Sequence, residues 1–165
     1  MVGLVKALPD ENTSLDTTIA QRLASYREQA GRPDAGKALF STHCAICHQV
    51  AGVGTALGPN LDGIGNRGLA RLAEDVLAPN RNVDVAFRLS TVTTHQGETF
   101  AGLIRQTEGT QLRLADPTGK ESLIPLESVK EKTTLSLSLM PSTFADALTQ
   151  EEFRDLLAYL ISLSN

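Results

Sequence analysis

The sequence predicts a mainly α fold carrying a small inserted antiparallel β meander at about 88–126 and an extra helix near the amino end. Three observations lead there. Apolar residues recur at helical spacing in four segments. After Phe87 the pattern switches to short β-branched or alternating runs separated by turn residues. The chain has 165 residues, 41% hydrophobic and 21% charged, which suits one globular domain, or one domain with an attachment, and excludes a disordered chain. The expected division is an amino-terminal extension over 1–30 and a domain over 31–165 that contains the β insertion.

The elements follow in order. Leu15, Ile19, Leu23 and Tyr26 place a helix over Ser14–Ala30, ended by Gly31-Arg32-Pro33. Asp34 can cap a second helix that runs through Thr42 and presents Gly36, Leu39 and Phe40. Val50–Gly68 holds six glycines and Pro59 and reads as an irregular loop. Leu69–Leu77 is a short helix stopped by Ala78-Pro79. Strands are expected at Leu89–Thr94, Thr99–Gln106, Gln111–Ala115 and Ser122–Pro125, with turns at His95-Gln96-Gly97, Glu108-Gly109 and Asp116–Gly119. Thr149 and Glu152 form a capping box ahead of a last helix whose apolar face is Phe153, Leu156, Leu157, Leu160 and Ile161.

Composition excludes several functions. Fifteen Lys and Arg against nineteen Asp and Glu leave a net charge of -4, unlike the basic field a nucleic-acid binder needs. No apolar run approaches the length of a membrane span. Met1–Pro9 has a lysine in its only apolar patch and no cleavage pattern, so no signal peptide is read there. Only five Phe and two Tyr are present, and no Trp. The core must therefore be filled by aliphatic side chains, or by something that is not protein.

The two cysteines carry the chemistry. Cys44 and Cys47 stand in the run His43-Cys44-Ala45-Ile46-Cys47-His48, too few for a disulfide framework. Three uses of such a pair can be weighed. A thioredoxin-like dithiol opens a helix just after a buried strand, whereas the residues before Cys44 read as helix. A structural zinc site needs four ligands, and outside this run the only His is His95 and there is no further Cys. Covalent haem c uses both thiols on the vinyl groups and the adjacent His48 on the iron, which gives each of the three positions a task.

Taken together, the chain resembles a class I c-type cytochrome domain. The matching residues are Gly36 with Phe40, Cys44-Ala45-Ile46-Cys47-His48, Gly58-Pro59-Asn60-Leu61, Met140-Pro141, and Leu157-Ala158-Tyr159-Leu160. More closely, it resembles the Pirellula/Verrucomicrobium-type haem-binding domain, in which a strand-rich stretch precedes a segment that reads here Ser138-Leu139-Met140-Pro141. The likeness runs from about Gly31 to the carboxyl end. It implies a class I cytochrome c fold around one covalently attached haem c. His48 is then the proximal iron ligand, and the Pro59 carbonyl orients its ring. Met140, the only methionine after Met1, sits where the family has its sulfur ligand. His95 is the rival distal ligand, more simply a turn histidine, and His43 reads as surface. Arg67 is either a partner for a haem propionate or an exposed arginine. Gly36 and Phe40 should pack against Tyr159 and Leu160.

Two protein ligands would leave no open position on the iron. The expected function is thus electron transfer by a carrier, not an enzyme, between a dehydrogenase, soluble or fused, and another redox protein. Such domains often end large dehydrogenase-like proteins, and covalent haem attachment places the chain in the periplasm. The alternative is a haem sensor or peroxidase-like enzyme with a displaceable distal ligand. A structural zinc module is the third reading.

Overall fold

The structure, a computed structural model, describes residues 11–164. The segment Met1–Pro9, where no signal peptide was read, lies outside the described residues. In chain order the main elements are α1 (Glu11–Glu28), α2 (Pro33–His43), β1 (Gln49–Val50), β2 (Val53–Gly54), α3 (Leu69–Leu77), β3 (Arg88–Thr94), β4 (Thr99–Glu108), β5 (Gln111–Ala115), β6 (Glu121–Pro125), β7 (Val129–Ser138), α4 (Phe144–Ala147) and α5 (Gln150–Ser162).

The fold class departs from the mainly α class I cytochrome c fold that the sequence led us to expect. Helix accounts for 42% and strand for 27%, and the strands form a five-stranded antiparallel sheet in the order β6-β5-β4-β3-β7. The expected meander at about 88–126 is only part of it. β7 returns to pair antiparallel with β3, Thr91 opposite Thr133 and Arg88 opposite Ser138, so the sheet spans residues 88–138. β7 has almost no buried side chain. An edge strand of this kind, carrying Lys130 and Lys132, is held by its backbone ladder and lacks the apolar alternation by which strands are recognised. The sheet also has a core of its own, Val92, Leu112, Leu114 and Ile124, and so forms a separate layer and not an ornament on the helices.

The helical core gathers Ile19 of α1, Phe40 of α2, Leu72, Ala73, Val76 and Leu77 of α3, Phe144, Leu148, and Phe153, Leu156, Leu157 and Leu160 of α5. The tightest contact within it is the crossing of α2 and α5. A Cβ on Gly36 would collide with the Asp155 carbonyl, and one on Gly31 with the Arg154 carbonyl. Backbone therefore meets backbone, and the Phe40 ring reaches Tyr159 at 5.5 Å between centroids.

The start of α2 differs from expectation for a tertiary reason. Asp34 is not the cap; Pro33 takes the first turn, where its missing N–H costs nothing, and the preceding Arg32 makes no side-chain cap. Instead the Arg32 backbone N–H donates to Asp155 Oδ1 at 2.7 Å, and its guanidinium donates to Asp155 Oδ2 at 2.8 Å. A carboxylate of α5 thus caps α2 from across the crossing. On α5 itself the Thr149–Glu152 capping box forms reciprocally. The helix α1 is fastened by polar contacts as well as by Ile19: Arg22 donates to the Ala145 and Leu148 carbonyls at 2.7 and 2.9 Å.

Asp155 is 4% exposed. Burial alone would push its carboxyl up; the hydrogen bonds and charge of Arg32, with the charge of Arg154, outweigh that and hold it below the usual carboxylate range. Its contribution is therefore full above the unfolded value near ~3.9 and is lost as pH falls through the lower folded value. Asp155→Asn should cost about 1.5–3 kcal/mol in denaturant unfolding at neutral pH. The gap from wild type should close progressively as pH falls below about 4.

Candidate functional site

The site begins where α2 ends. Cys44 and Ala45 both donate their backbone N–H to the Phe40 carbonyl, at 2.8 and 2.9 Å. The chain then makes one more turn, with Cys47 and His48 donating to the Cys44 carbonyl at 3.0 and 2.8 Å. Two thiols and an imidazole are thereby presented on a single turn, all three half-buried, while Ile46 between the thiols is exposed.

The following loop contains a short hairpin and a glycine contact that the sequence did not reveal, and it brings Pro59 to the ring where the resemblance put it. The tiny hairpin of β1 and β2 turns through Ala51 and Gly52, both at positive φ (49° and 78°), a conformation that Gly supplies cheaply. The loop then folds back over the imidazole. Gly58 donates to the Cys47 carbonyl at 2.6 Å. A Cβ on Gly58 would stand 2.8 Å from His48 Cε1, so the absence of a side chain is what lets the backbone lie against the ring. One residue on, the Pro59 carbonyl is 2.9 Å from His48 Nδ1. A carbonyl can only accept, so Nδ1 carries the proton, and Nε2 is left as the lone-pair nitrogen with no protein partner among the described residues.

Electrostatics agree with this geometry. Burial pushes the His48 imidazole below its ordinary pKa, only partly offset by the Pro59 bond, so the ring is neutral at neutral pH, as a metal ligand must be. Burial and the neighbouring Cys47 push the Cys44 thiol up to about 11, and burial raises Cys47 as well. Both are held as neutral thiols, the reverse of a redox dithiol, whose leading sulfur is stabilised as thiolate. Nor is any group of three or more His, Cys, Asp or Glu side chains gathered to hold a metal ion among the described residues.

The other expected site residues fall as follows. Met140 follows β7, is half-buried and packs against the helical core, as do Cys44, Val50 and Leu61. Its segment is pinned twice: the Ser138 N–H donates to Asn80 Oδ1 at 2.8 Å, and the Met140 N–H donates to Ser138 Oγ at 3.0 Å. Cys47, Phe87 and Leu139 each pack against the buried cluster of Leu57, Leu103 and Ala115, so the cysteine turn and the residue before Met140 share one cluster with the sheet. His95 is exposed in the turn after β3. Arg88 at the other end of that strand pairs with Ser138, which puts roughly 20 Å of strand between His95 and the Met140 segment. His43 is exposed, edge-on to Phe144 at 6.5 Å. The Arg67 guanidinium is paired with Asp75 at 2.9 Å and is 44% exposed.

A residue that sequence reasoning missed is Arg105 of β4. It donates from Nη2 to the Ala56 and Leu57 carbonyls, at 2.8 and 2.6 Å, just before Gly58 and Pro59. Nothing in its sequence neighbourhood marks it, because it is far from the loop along the chain.

A cytochrome c family model matches residues 33–96. The match starts at the first residue of α2, takes in Cys44–His48 and Gly58–Leu61, and ends in the turn after β3. It supports a c-type cytochrome and brings with it covalently bound haem c as the cofactor. The residues present fit that group on their own chemistry: two neutral thiols on one turn, a neutral imidazole with Nε2 free, a glycine cradle against the ring, and apolar neighbours. Gly58→Ala should destabilise the fold by about 1–3 kcal/mol through overpacking against His48, and should shift the ring-nitrogen resonances of that histidine. Wild-type stability with unshifted resonances would show that the loop does not bear on the ring.

Proposed function

We propose that this chain is a monohaem c-type electron-transfer domain that passes electrons between a dehydrogenase, soluble or fused, and another redox carrier. The cytochrome c match points to haem-based electron transfer by a carrier with a redox partner. The observation that carries the finer reading is the joint placement of Cys44, Cys47 and His48 on one turn with His48 Nδ1 tied to Pro59. Kinship with the Pirellula/Verrucomicrobium-type domain belongs to the same proposal and rests on the segment Ser138–Pro141 and the strand-rich stretch before it.

Each residue then has a task. Cys44 and Cys47 would hold the haem through thioethers, each thiol adding its S–H across a vinyl group with no atom lost. His48 offers Nε2 to the iron, and the Pro59 carbonyl fixes its tautomer and orientation. Met140 would offer a thioether as the second protein ligand, one that favours the reduced state. The haem supplies an iron that cycles between ferrous and ferric. With His48 and Met140 both bound to it, the iron would have no open position for a substrate, and electrons alone would be exchanged.

No helix among the described residues is long and apolar enough to cross a membrane. The periplasm is the proposed location, because thioether attachment is made outside the cytoplasm. Arg67 is paired with Asp75, and Arg71 with Glu74 and Asp75, whereas Lys130 and Lys132 on exposed β7 have no ion pair among the described residues; the net charge of the chain is -4. Encounter with a partner should therefore be steered by charge.

Acid–acetone treatment of matured protein should leave the haem on the polypeptide, and intact mass should exceed that of the chain by one haem. Extractable haem would overturn covalent attachment. The ferric form should show the weak red charge-transfer band of thioether ligation, lost in Met140→Ala with a lower potential. A band and potential unaffected by that substitution would remove Met140 from the iron. Stopped-flow reduction by a dehydrogenase partner should change in rate across a salt series.

A further inference from the structure

The inserted sheet has so far been given no task. The ladder between β4 and β5 contains one irregularity: Ile104 of β4 pairs with Leu114 and Gln106 with Arg113, so Arg105 is an extra residue opposite the junction of two partners. Such a bulge frees the extra residue from the alternation of the strand and re-aims its side chain. Here the side chain leaves the sheet and its guanidinium meets the Ala56 and Leu57 carbonyls. No carboxylate lies within ion-pair distance of Arg105 among the described residues. Arg113, opposite on β5, is by contrast bridged to Glu108 and Glu121.

What Arg105 grips leads directly to the histidine. Leu57 is 4% exposed and wedged with Leu103 and Ala115 of the sheet. Gly58 is bonded to Cys47 and lies against the His48 ring, and Pro59 accepts from Nδ1. Two carbonyls, one buried leucine and one glycine thus connect the bulge with the ring nitrogen. Thr55 to Pro59 is irregular and Ala56 is exposed; besides Arg105, the Thr55 N–H donates to the Ala45 carbonyl at 2.9 Å and the Gly58 N–H to that of Cys47.

We propose that Arg105 is a positioning residue for the axial histidine: through the β4 bulge it clamps the Ala56–Leu57 turn and so keeps the Pro59 carbonyl on His48 Nδ1. The insertion is then part of the haem site's scaffold. This rests on the haem reading for its purpose, though the clamp itself is a property of the chain.

The test is nitrogen and proton NMR of the His48 ring in the full chain, with any haem kept ferrous. Arg105→Gln should speed solvent exchange of the Nδ1 proton by about tenfold or more, with backbone amides of α2 and α5 unchanged. Arg113→Ala, which removes a comparable arginine from the same sheet, should leave His48 exchange as in wild type. Should Arg105→Gln not fold, Arg105→Lys, which keeps the charge but gives up the planar fork, decides by the same readout. Faster exchange confined to His48 and its loop supports the clamp. Wild-type exchange, or an equal acceleration throughout the protein, overturns it. Intact mass of the same wild-type sample reports the haem separately: absence of haem overturns the haem reading, while the His48 measurement still decides the clamp.

Discussion

A histidine ligand is only as well placed as the acceptor on its other ring nitrogen. For His48, the proposed ligand, that acceptor is a backbone carbonyl, Pro59 O, 2.9 Å from Nδ1. A carbonyl cannot rotate independently of its chain, so its placement passes the demand for rigidity to the whole segment from Val50 to Gly68. That segment is rich in glycine and poor in core residues. It is instead held from several sides. The Ala51 N–H donates to Asp62 Oδ1 and the Leu61 N–H to the Gln49 carbonyl, which closes the loop on itself. The Gly65 N–H reaches the Leu163 carbonyl beyond α5. Leu57 is buried on the sheet.

The two layers of the fold therefore meet at the site and not merely near it. The helical layer supplies the turn that carries Cys44, Cys47 and His48: Gly31 and Gly36 allow α2 to lie on α5 at backbone contact, and Asp155 caps α2 from α5. The end of α2, and with it Cys44, is fixed by that crossing. The sheet supplies the other wall, through Leu103 and Ala115 beneath Leu57 and through the β3–β7 ladder that delivers Ser138 and Met140. Neutral thiols and a neutral imidazole follow from the burial that both layers impose.

How much of this could be read from the residues depended on how local the determinant was. Cys44, Cys47 and His48 are contiguous, so their joint chemistry is legible without a fold. The helices α3 and α5 were legible from apolar spacing and from the Thr149–Glu152 box, which is a contact within one turn. The cap of α2 was misread as Asp34 because the true acceptor, Asp155, lies more than a hundred residues away. The strand β7 escaped notice because its side chains are exposed and its place is set by pairing with β3 alone. With β7 missing, the insertion looked like a small meander in a mainly α chain; with it, the sheet is a five-stranded layer. Arg105 was illegible for the same kind of reason, since a register slip between two strands leaves no mark on either sequence.

The proposal that His48 and Met140 together hold the iron of the haem c is tested most directly by the visible spectrum of the reduced protein before and after carbon monoxide is added. The account predicts the sharp paired bands of a six-coordinate ferrous haem c, unchanged by the gas. A spectrum without haem bands, or one that carbon monoxide converts promptly while Met140 is intact, would contradict it.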